Sequence, residues 1–174
     1  LQKGFNYSQD GRGNRLIYHL QGCNFACKWC SNADSIPREN PKAKERSGDD
    51  IFDEIMRSRM MFFDGVGVTF TGGECTPEYV DHLIVDLKHF DDEQHIKWVG
   101  ASLKETKKNI EFFFASGREI HIRIPVINGV NTCPEGFADY FSRFDTSHAD
   151  FEFLAYHEFG KDKWNGNYAS FRPK

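Results

Sequence analysis

Three cysteines near the amino terminus have a spacing that suits a metal centre. Cys23, Cys27 and Cys30 follow the pattern Cys-x3-Cys-x2-Cys. Thiolates are the ligands of iron–sulfur clusters, and three of them on a [4Fe–4S] cluster leave one iron open to a small molecule. A structural zinc site, completed by His19, Cys75 or another residue, is the alternative, and uncommitted thiols are a third reading. The spacing favours the cluster.

The remaining two cysteines, Cys75 and Cys133, have no close cysteine neighbour. We expect both to be small packing residues, because free cysteine behaves as a small apolar side chain. Three clustered cysteines out of five also argue against a secreted disulfide framework, in which cysteines pair evenly.

A second candidate site is the segment Gly72-Gly73-Glu74. Glycines lack a Cβ atom and let a ligand approach the backbone closely, and the Glu74 carboxylate can accept hydrogen bonds from an ammonium group. The alternative is a plain turn at a strand end with a solvated glutamate.

These residues require elements that position them. Strands are predicted at 15–20, 66–70, 83–87, 121–125 and 151–155, and helices at about 50–60, 102–117 and 132–143. The last two helices are predicted to begin with capping boxes at Ser102 and Thr132. Strands separated by helices predict an α/β fold with a parallel sheet, whose strand ends gather polar groups on one edge. Those ends carry the cysteines, Gly72 to Glu74, Asp86, Lys88, Asn128 and His157.

The composition excludes several classes of protein. The chain has 174 residues and a formal net charge of −4, which argues against a nucleic-acid-binding domain. No apolar run approaches the roughly 18 residues of a membrane-spanning helix. The first residues, Leu1 to Asn6, lack the apolar stretch of a signal peptide, so a cytoplasmic location is expected.

The cysteine motif and the glycine pair together resemble the radical S-adenosylmethionine (SAM) superfamily. Trp29 occupies the aromatic position of its motif, and a strand leads into Gly72-Gly73-Glu74. Further segments resemble the activating enzymes of glycyl-radical enzymes, over residues ~5–164. They are 10–15 (with Arg12 where the family has proline), Cys30-Ser31-Asn32, Asp86-Leu87-Lys88, 123–129 and 156–161.

The resemblance implies a fold, cofactors and partners. The fold is a partial TIM-like (β/α) barrel, in a single radical SAM domain over residues 1–174 without a ferredoxin-like insert. The implied activity is reductive cleavage of SAM at a [4Fe–4S] cluster held by the three cysteines, which generates a glycyl radical on a partner enzyme. A flavodoxin- or ferredoxin-type protein would donate the electron. The implied SAM-binding residues are Trp29, Asn32, Gly72, Gly73, Glu74, Asp86, Lys88, Asn128 and His157, and a monovalent cation near Asp86 is a further implied ligand.

Alternatives remain for the function and for individual residues. The chain could be a radical SAM enzyme for another peptide or small molecule, or a non-catalytic iron–sulfur or zinc protein. Without the resemblance, Asp86 and Lys88 read as a surface ion pair and His157 as a structural histidine. Arg123 suits equally an ion pair within the barrel or a contact with SAM or a partner peptide.

One spacing conflicts with the fold. Only 11 residues separate Glu74 from Asp86, whereas a strand, crossover helix and return strand need about 30. The family places more than one βα unit here, so we expect that segments are missing from this chain. A second gap is expected within 37–49.

Overall fold

A computed structural model describes residues 2–7, 10–11, 13–62, 67–72, 80–164, 166 and 168–173. They belong to two compact units, which we describe separately. The first unit comprises Leu1–Asn24 and Asp34–Cys75, and the second comprises Phe25–Ala33 and Thr76–Lys174. The elements in chain order are β1 (Gln2–Tyr7), β2 (Asn14–His19), α1 (Gly48–Ser58), β3 (Gly67–Thr71), β4 (Leu83–Asp86), α2 (Asp92–Val99), α3 (Lys104–Ser116), β5 (Ile120–Val126), α4 (Pro134–Phe141) and β6 (Ala149–Ala155).

The first unit contains a three-stranded sheet of order β1-β2-β3. β2 and β3 are parallel as predicted, whereas β1 was not predicted and pairs antiparallel with β2. Arg15 ties β2 to β3, because its Nε donates to Thr69 Oγ1 at 2.6 Å and its Nη2 to the Val68 carbonyl at 3.0 Å. The sheet is therefore mixed, and its parallel pair leads towards Cys23 and Gly72.

Helix α1 begins at a capping box in which Ser47 and Asp50 bond each other's backbone N–H groups. One side-chain contact fixes the helix on the sheet. The Tyr18 hydroxyl on β2 donates to Glu54 Oε2 at 3.1 Å, and Arg46 pairs with the same carboxylate at 3.3 Å.

The second unit contains a parallel sheet of order β4-β5-β6. Alternate residues of β5 point to opposite faces. Ile120, Ile122 and Ile124 are buried in a core with residues of α3 and α4, including Ile110 and Phe137. The opposite face carries polar side chains, among them Asp86, His121, Arg123 and Glu152. The α/β class with parallel strands is confirmed.

Both predicted capping boxes are wrong. Helix α3 begins at Lys104 after Leu103, which makes no side-chain cap, and α4 begins at Pro134 after Cys133. The Ser102 oxygen accepts from the Lys104 N–H at 3.3 Å, and its hydroxyl donates to Asp92 Oδ1 at 2.8 Å, so it ties the start of α3 to the start of α2. Gly117 ends α3 as predicted, with φ of 66°.

Helix α2 was not predicted. The Asp91 side chain caps its start by accepting from the Gln94 N–H, and Gly100 ends it at φ of 82°. Within the described ranges, no helix combines the length and apolar character needed to cross a bilayer.

Candidate functional site

The first unit holds Cys23 by contacts with nearby backbone. Cys23 follows β2, and its N–H donates to the Ile36 carbonyl at 3.1 Å. The preceding residue, Gly22, has φ of 92° and donates to the Ser35 carbonyl at 2.9 Å. A left-handed glycine thus turns the chain from the strand end into the cysteine loop.

Gly72 has a structural reason to be glycine. Its φ is 81°, and a Cβ atom there would lie 2.5 Å from the Leu20 carbonyl oxygen. The Thr71 carbonyl next to it accepts from the Leu20 N–H at 2.8 Å, so the segments after β2 and β3 lie backbone to backbone. The other predicted residues of this segment, Gly73 and Glu74, lie outside the described residues, as does Cys75.

The second unit holds Cys27 and Cys30 against α2. The Ala26 N–H donates to the carbonyl of Val99, the last residue of α2, at 2.7 Å. Cys27 is buried, and its carbonyl accepts from the Cys30 N–H at 3.1 Å, which closes a turn between the two thiols.

Two residues near the end of the chain hold the turn at Cys30. The Trp164 Nε1 donates to the Cys30 carbonyl at 2.8 Å, and the Lys163 Nζ donates to Asn32 Oδ1 at 2.8 Å. The Asn32 N–H in turn donates to Cys30 Sγ at 3.3 Å. A sulfur that accepts an N–H is suited to a thiolate ligand, because such hydrogen bonds stabilise negative charge on sulfur.

The donor set therefore has the chemistry that a [4Fe–4S] cluster needs: three thiols on one loop, one of them accepting an N–H. Among the residues that the structure describes, no three Cys, His, Asp or Glu side chains form a group arranged to hold a metal ion. The assignment of the three cysteines to one cluster accordingly rests on their spacing and chemistry. Cys133, expected to pack internally, is exposed, with its Sγ 3.6 Å from Glu135 Oε2. That expectation is wrong because Cys133 lies at the exposed start of α4.

Trp29, the aromatic residue of the motif, is buried. Its ring meets Phe171 edge to face at 5.7 Å between centroids, and Phe171 meets Trp98 of α2 at 5.8 Å. Such edge contacts stabilise aromatic pairs beyond the area they bury. Trp29 thus links the cysteine loop to the segment near the end of the chain.

Asp86, Lys88 and Arg123 form a charge cluster at the carboxyl end of β4 and the middle of β5. Arg123 Nε donates to Asp86 Oδ1 at 2.8 Å, and Lys88 Nζ lies 3.7 Å from Asp86 Oδ2. Burial opposes ionisation of Asp86, but the charges of Lys88 and Arg123 outweigh it and hold its pKa below the ordinary value. Of the roles open to Arg123, the structure shows the ion pair. Both carboxylate oxygens face cationic groups, which disfavours a monovalent cation at this position.

Asn131, which the sequence did not single out, fixes the loop after β5. It is buried, and its Nδ2 donates to the carbonyls of Lys88 at 2.9 Å and Pro125 at 2.7 Å. Its Oδ1 accepts from the Ile127 N–H at 2.7 Å. One amide therefore fastens the loop after β4 to the loop after β5. The only signal in the sequence was its position after a predicted strand end.

Asn128 and His157, both predicted to bind SAM, line one pocket of about 600 Å³ at the carboxyl ends of β5 and β6. That size suits a small organic ligand, since ligand pockets are typically ~300–1,000 Å³. The walls include apolar side chains such as Phe159 and Phe171. The His157 ring stacks on Phe159 at 4.4 Å between centroids. The pocket thus offers flat aromatic surface beside a few polar groups, an arrangement that suits a heterocyclic base.

The wall of this pocket near the end of the chain is fixed through Glu158. Its carboxylate accepts from the Ser170 hydroxyl at 2.5 Å and pairs with Arg172 at 3.0 Å. The Ser170 hydrogen bond and the Arg172 charge hold the pKa of Glu158 below its ordinary value. The Tyr156 hydroxyl accepts from the Phe171 N–H at 3.1 Å, which holds the Phe171 ring against the pocket.

Comparisons with known proteins identify the family of the chain and several relatives. The 4Fe-4S single cluster domain family matches residues 9–124. The chain is 25% identical to the pyruvate formate-lyase-activating enzyme of Streptococcus mutans serotype c, over 90% of this chain and 76% of that protein. It is 27% identical to pyruvate formate-lyase 1-activating enzyme of Escherichia coli K12, over 89% of this chain and 79% of that protein. Benzylsuccinate synthase activating enzyme of Thauera aromatica is 33% identical over 49% of this chain and 27% of that protein.

Two solved structures share the fold. The Streptococcus suis protein SuiB, solved bound to the precursor peptide SuiA, has a TM-score of 0.60 and 16% identity, and covers 90% of this chain. TYW1, solved with a lysine-pyruvate adduct, has a TM-score of 0.54 and 13% identity, and covers 83% of this chain. This chain spans 41% of the SuiB chain and 64% of the TYW1 chain.

The alignment with the S. mutans protein is longer than the part of this chain that it covers. It is 202 positions long and covers 90% of this chain, which is about 157 residues. About 45 positions of the alignment therefore have no counterpart in this chain, so within the aligned region the relative carries residues that this sequence lacks. This agrees with the expectation that internal segments are missing from this chain.

Proposed function

The chain belongs to the 4Fe-4S single cluster domain family, and from that membership we propose that it is a radical SAM activase acting on a glycyl-radical enzyme. Relatives named as activating enzymes support this assignment, with identities of 25–33%. The proposed fold is a partial (β/α) barrel forming one domain over residues 1–174, and the two parallel strand pairs of β4-β5-β6 support it.

In this proposal Cys23, Cys27 and Cys30 hold a [4Fe–4S] cluster. When bound, it would supply the single electron that splits SAM into methionine and a 5′-deoxyadenosyl radical, which takes a hydrogen atom from a glycine Cα of the partner. The protein's own contribution is to bind, orient and exclude water. A flavodoxin- or ferredoxin-type protein is the proposed electron donor.

The observation that carries the proposal is the pocket that Asn128 and His157 line together. Both residues were assigned to SAM from sequence motifs, and they lie at the ends of different strands. We assign the adenosine part of SAM to this pocket, because Phe159 and Phe171 offer flat apolar surface and His157 can hydrogen-bond a ribose hydroxyl.

We assign the methionine part of SAM to charged groups. Lys88 carries an ammonium suited to a carboxylate, and its carbonyl is fixed by Asn131 at 2.9 Å. Glu74 is the proposed carboxylate for the methionine amine, and Asp86, whose oxygens already face cations, is the proposed acceptor for a ribose hydroxyl of SAM. Trp29, Asn32, Gly72 and Gly73 are the proposed backbone and packing contacts around SAM.

Anaerobic reconstitution with iron and sulfide, followed by reduction in the presence of SAM, tests the proposal. We expect 5′-deoxyadenosine from the wild type and from Cys133→Ala, whose thiol is exposed and away from the motif. We expect none from Cys27→Ala, which removes a proposed ligand, together with loss of the cluster's absorbance near ~400 nm. Absence of 5′-deoxyadenosine from the reconstituted wild type would contradict the proposed activity.

A further inference from the structure

The segment Gly160–Trp164, here called the clamp, lies on the turn formed by Cys30, Ser31 and Asn32. The two are 131 to 134 residues apart along the chain. A Cβ atom on Gly160 would come within 2.4 Å of the Ser31 Cα atom, so the backbone of the clamp touches the backbone of the turn. Only glycine leaves room for this approach.

Two side chains of the clamp then bond the residues on either side of Ser31. Trp164 Nε1 donates to the Cys30 carbonyl at 2.8 Å in a half-buried contact. Lys163 Nζ donates to Asn32 Oδ1 at 2.8 Å in an exposed one. Because the Trp164 bond is better shielded from water, it contributes more to holding the turn.

The turn controls a hydrogen bond to sulfur. The Asn32 N–H donates to Cys30 Sγ at 3.3 Å, and its direction depends on how the backbone from Cys30 to Asn32 is held. The clamp holds this segment at the backbone carbonyl of Cys30 and at the side chain of Asn32. Outer hydrogen bonds of this kind orient metal ligands and tune the potential of iron–sulfur clusters.

The clamp is itself firmly fixed. The Lys163 N–H donates to the Gly160 carbonyl at 3.0 Å in a tight helical turn, and the Trp164 ring meets Tyr168 at 6.0 Å between centroids. The Tyr168 hydroxyl shares a 2.7 Å hydrogen bond with Tyr156, whose hydroxyl also accepts from the Phe171 N–H. The support for Cys30 thus continues into the wall of the pocket.

We propose that Trp164 and Lys163 are positioning residues for Cys30, which set the retention and the reduction potential of the cluster from the far end of the chain. The inference rests on the proposed function, since it assumes that Cys30 is a cluster ligand. Neither residue is proposed to touch the cluster or SAM.

The test measures how fast EDTA extracts iron from the anaerobically reconstituted chain, without SAM or any partner. Trp164→Phe keeps an aromatic ring and removes the N–H donor, and we expect iron to leave about 10-fold faster. Lys163→Met should accelerate loss by about threefold, a smaller effect because its hydrogen bond is exposed. Lys163→Arg keeps a donor and should restore the wild-type rate. Lys161→Met, a change of an exposed lysine in the same turn, is the matched control and should leave the rate unchanged.

The midpoint potential of the reconstituted cluster gives a second readout, which a purely structural role would not move. We expect Trp164→Phe to shift it relative to Lys161→Met. The inference would be overturned by one result: Trp164→Phe and Lys163→Met lose iron at the wild-type rate and keep the wild-type potential, with circular dichroism unchanged. The proposed function would still stand in that case. If Trp164→Phe does not fold, the pair Lys163→Met and Lys163→Arg decides, since an equal rate in both would also overturn it. A wild-type chain that takes up no iron would defeat the proposed function itself.

Discussion

The two units hold their parts of the cysteine loop by different kinds of contact. In the first unit, Gly22 and Cys23 bond backbone carbonyls only 13 residues further along the chain, at Ser35 and Ile36. In the second unit, the Cys30 carbonyl accepts a hydrogen bond from the side chain of Trp164, 134 residues away. The comparison teaches that one short motif can depend on local backbone geometry at one end and on distant side chains at the other.

Among the tests of this comparison, we expect the largest effect from Gly72→Ala, which disturbs the backbone contacts of the first unit. The substitution places a Cβ atom 2.5 Å from the Leu20 carbonyl oxygen at φ of 81°. We expect the free energy of unfolding to fall by about 3 kcal/mol. Urea denaturation measures it.

Gly117→Ala is the matched control. Gly117 has φ of 66°, but a Cβ atom there would meet no atom within 4 Å. This substitution should lower the free energy of unfolding by only about 1 kcal/mol, because it has to overcome the left-handed backbone alone. Equal losses in the two variants would show that the contact with Leu20 is unimportant.

Asn131→Ala tests how much a side chain contributes to holding the loops of the second unit. The change leaves the Ile127 N–H and the carbonyls of Lys88 and Pro125 without their partner. We expect the free energy of unfolding to fall by about 2 kcal/mol, because a buried polar group that loses its hydrogen-bond partner costs more than an average hydrogen bond contributes. Asn128→Ala, at an exposed position in the same loop, should change stability by less than about 0.5 kcal/mol. A similar value for both variants would argue against a role of Asn131 in holding the two loops together.

A smaller effect is expected from Asp86→Asn. The amide keeps the shape but loses the charge that pairs with Arg123 at 2.8 Å and Lys88 at 3.7 Å. We expect the free energy of unfolding to fall by about 1 kcal/mol at pH 7. The pKa of Asp86 in the folded protein lies below its ordinary value. The wild type should therefore be more stable than Asp86→Asn by the full amount above the ordinary pKa. This difference in stability should decrease as the pH falls through the lowered pKa of the folded protein.

Unfolding measured at pH 7 and again below pH 3 checks this expectation. An advantage of the wild type that is unchanged in acid would show that the ion pair is not its source.

The effect that is smallest at pH 7, and grows only in acid, concerns His95 of α2, which is buried, with Nδ1 2.7 Å from the Ala101 carbonyl. Burial lowers its pKa below 6.5, so the unfolded chain takes up the proton first as the pH falls. The wild type should therefore lose stability below pH 6.5. His95→Asn keeps a donor and removes this titration, which should reduce the slope by up to about 1.4 kcal/mol per pH unit. Identical slopes in the two proteins would contradict a buried neutral His95.

The sequence predicted elements well where one local signal dominates. The buried runs that became β4 and β5 and the left-handed Gly117 were read correctly, because apolar runs and glycine stops are local properties. Helix α2 was missed although Asp91 and Gly100 mark its ends, since the helix has few apolar residues between them. The Ser102 capping box failed because the Ser102 oxygen accepts from the Lys104 N–H at 3.3 Å, one residue before the predicted Glu105.

The candidate site was also predictable only in part, because some of its residues act through contacts with distant segments. Motifs named Asn128 and His157, and the structure brings them to one pocket. Asn131 and Trp164 carried no motif, because their role depends on which loop or turn packs against them. The ion pair between Asp86 and Arg123 was open in the sequence, since it requires that β4 and β5 be neighbours in register.

The most direct test of the central claim follows the hydrogen atom. The reconstituted, reduced chain is mixed with SAM and with pyruvate formate-lyase or benzylsuccinate synthase, the enzymes that its relatives are named for activating, each carrying deuterated glycine. We predict deuterium in the 5′-deoxyadenosine and a glycyl-radical signal by electron paramagnetic resonance with at least one of the two. Abundant 5′-deoxyadenosine without deuterium or a glycyl radical, with both enzymes, would contradict the assignment as an activase of these enzymes.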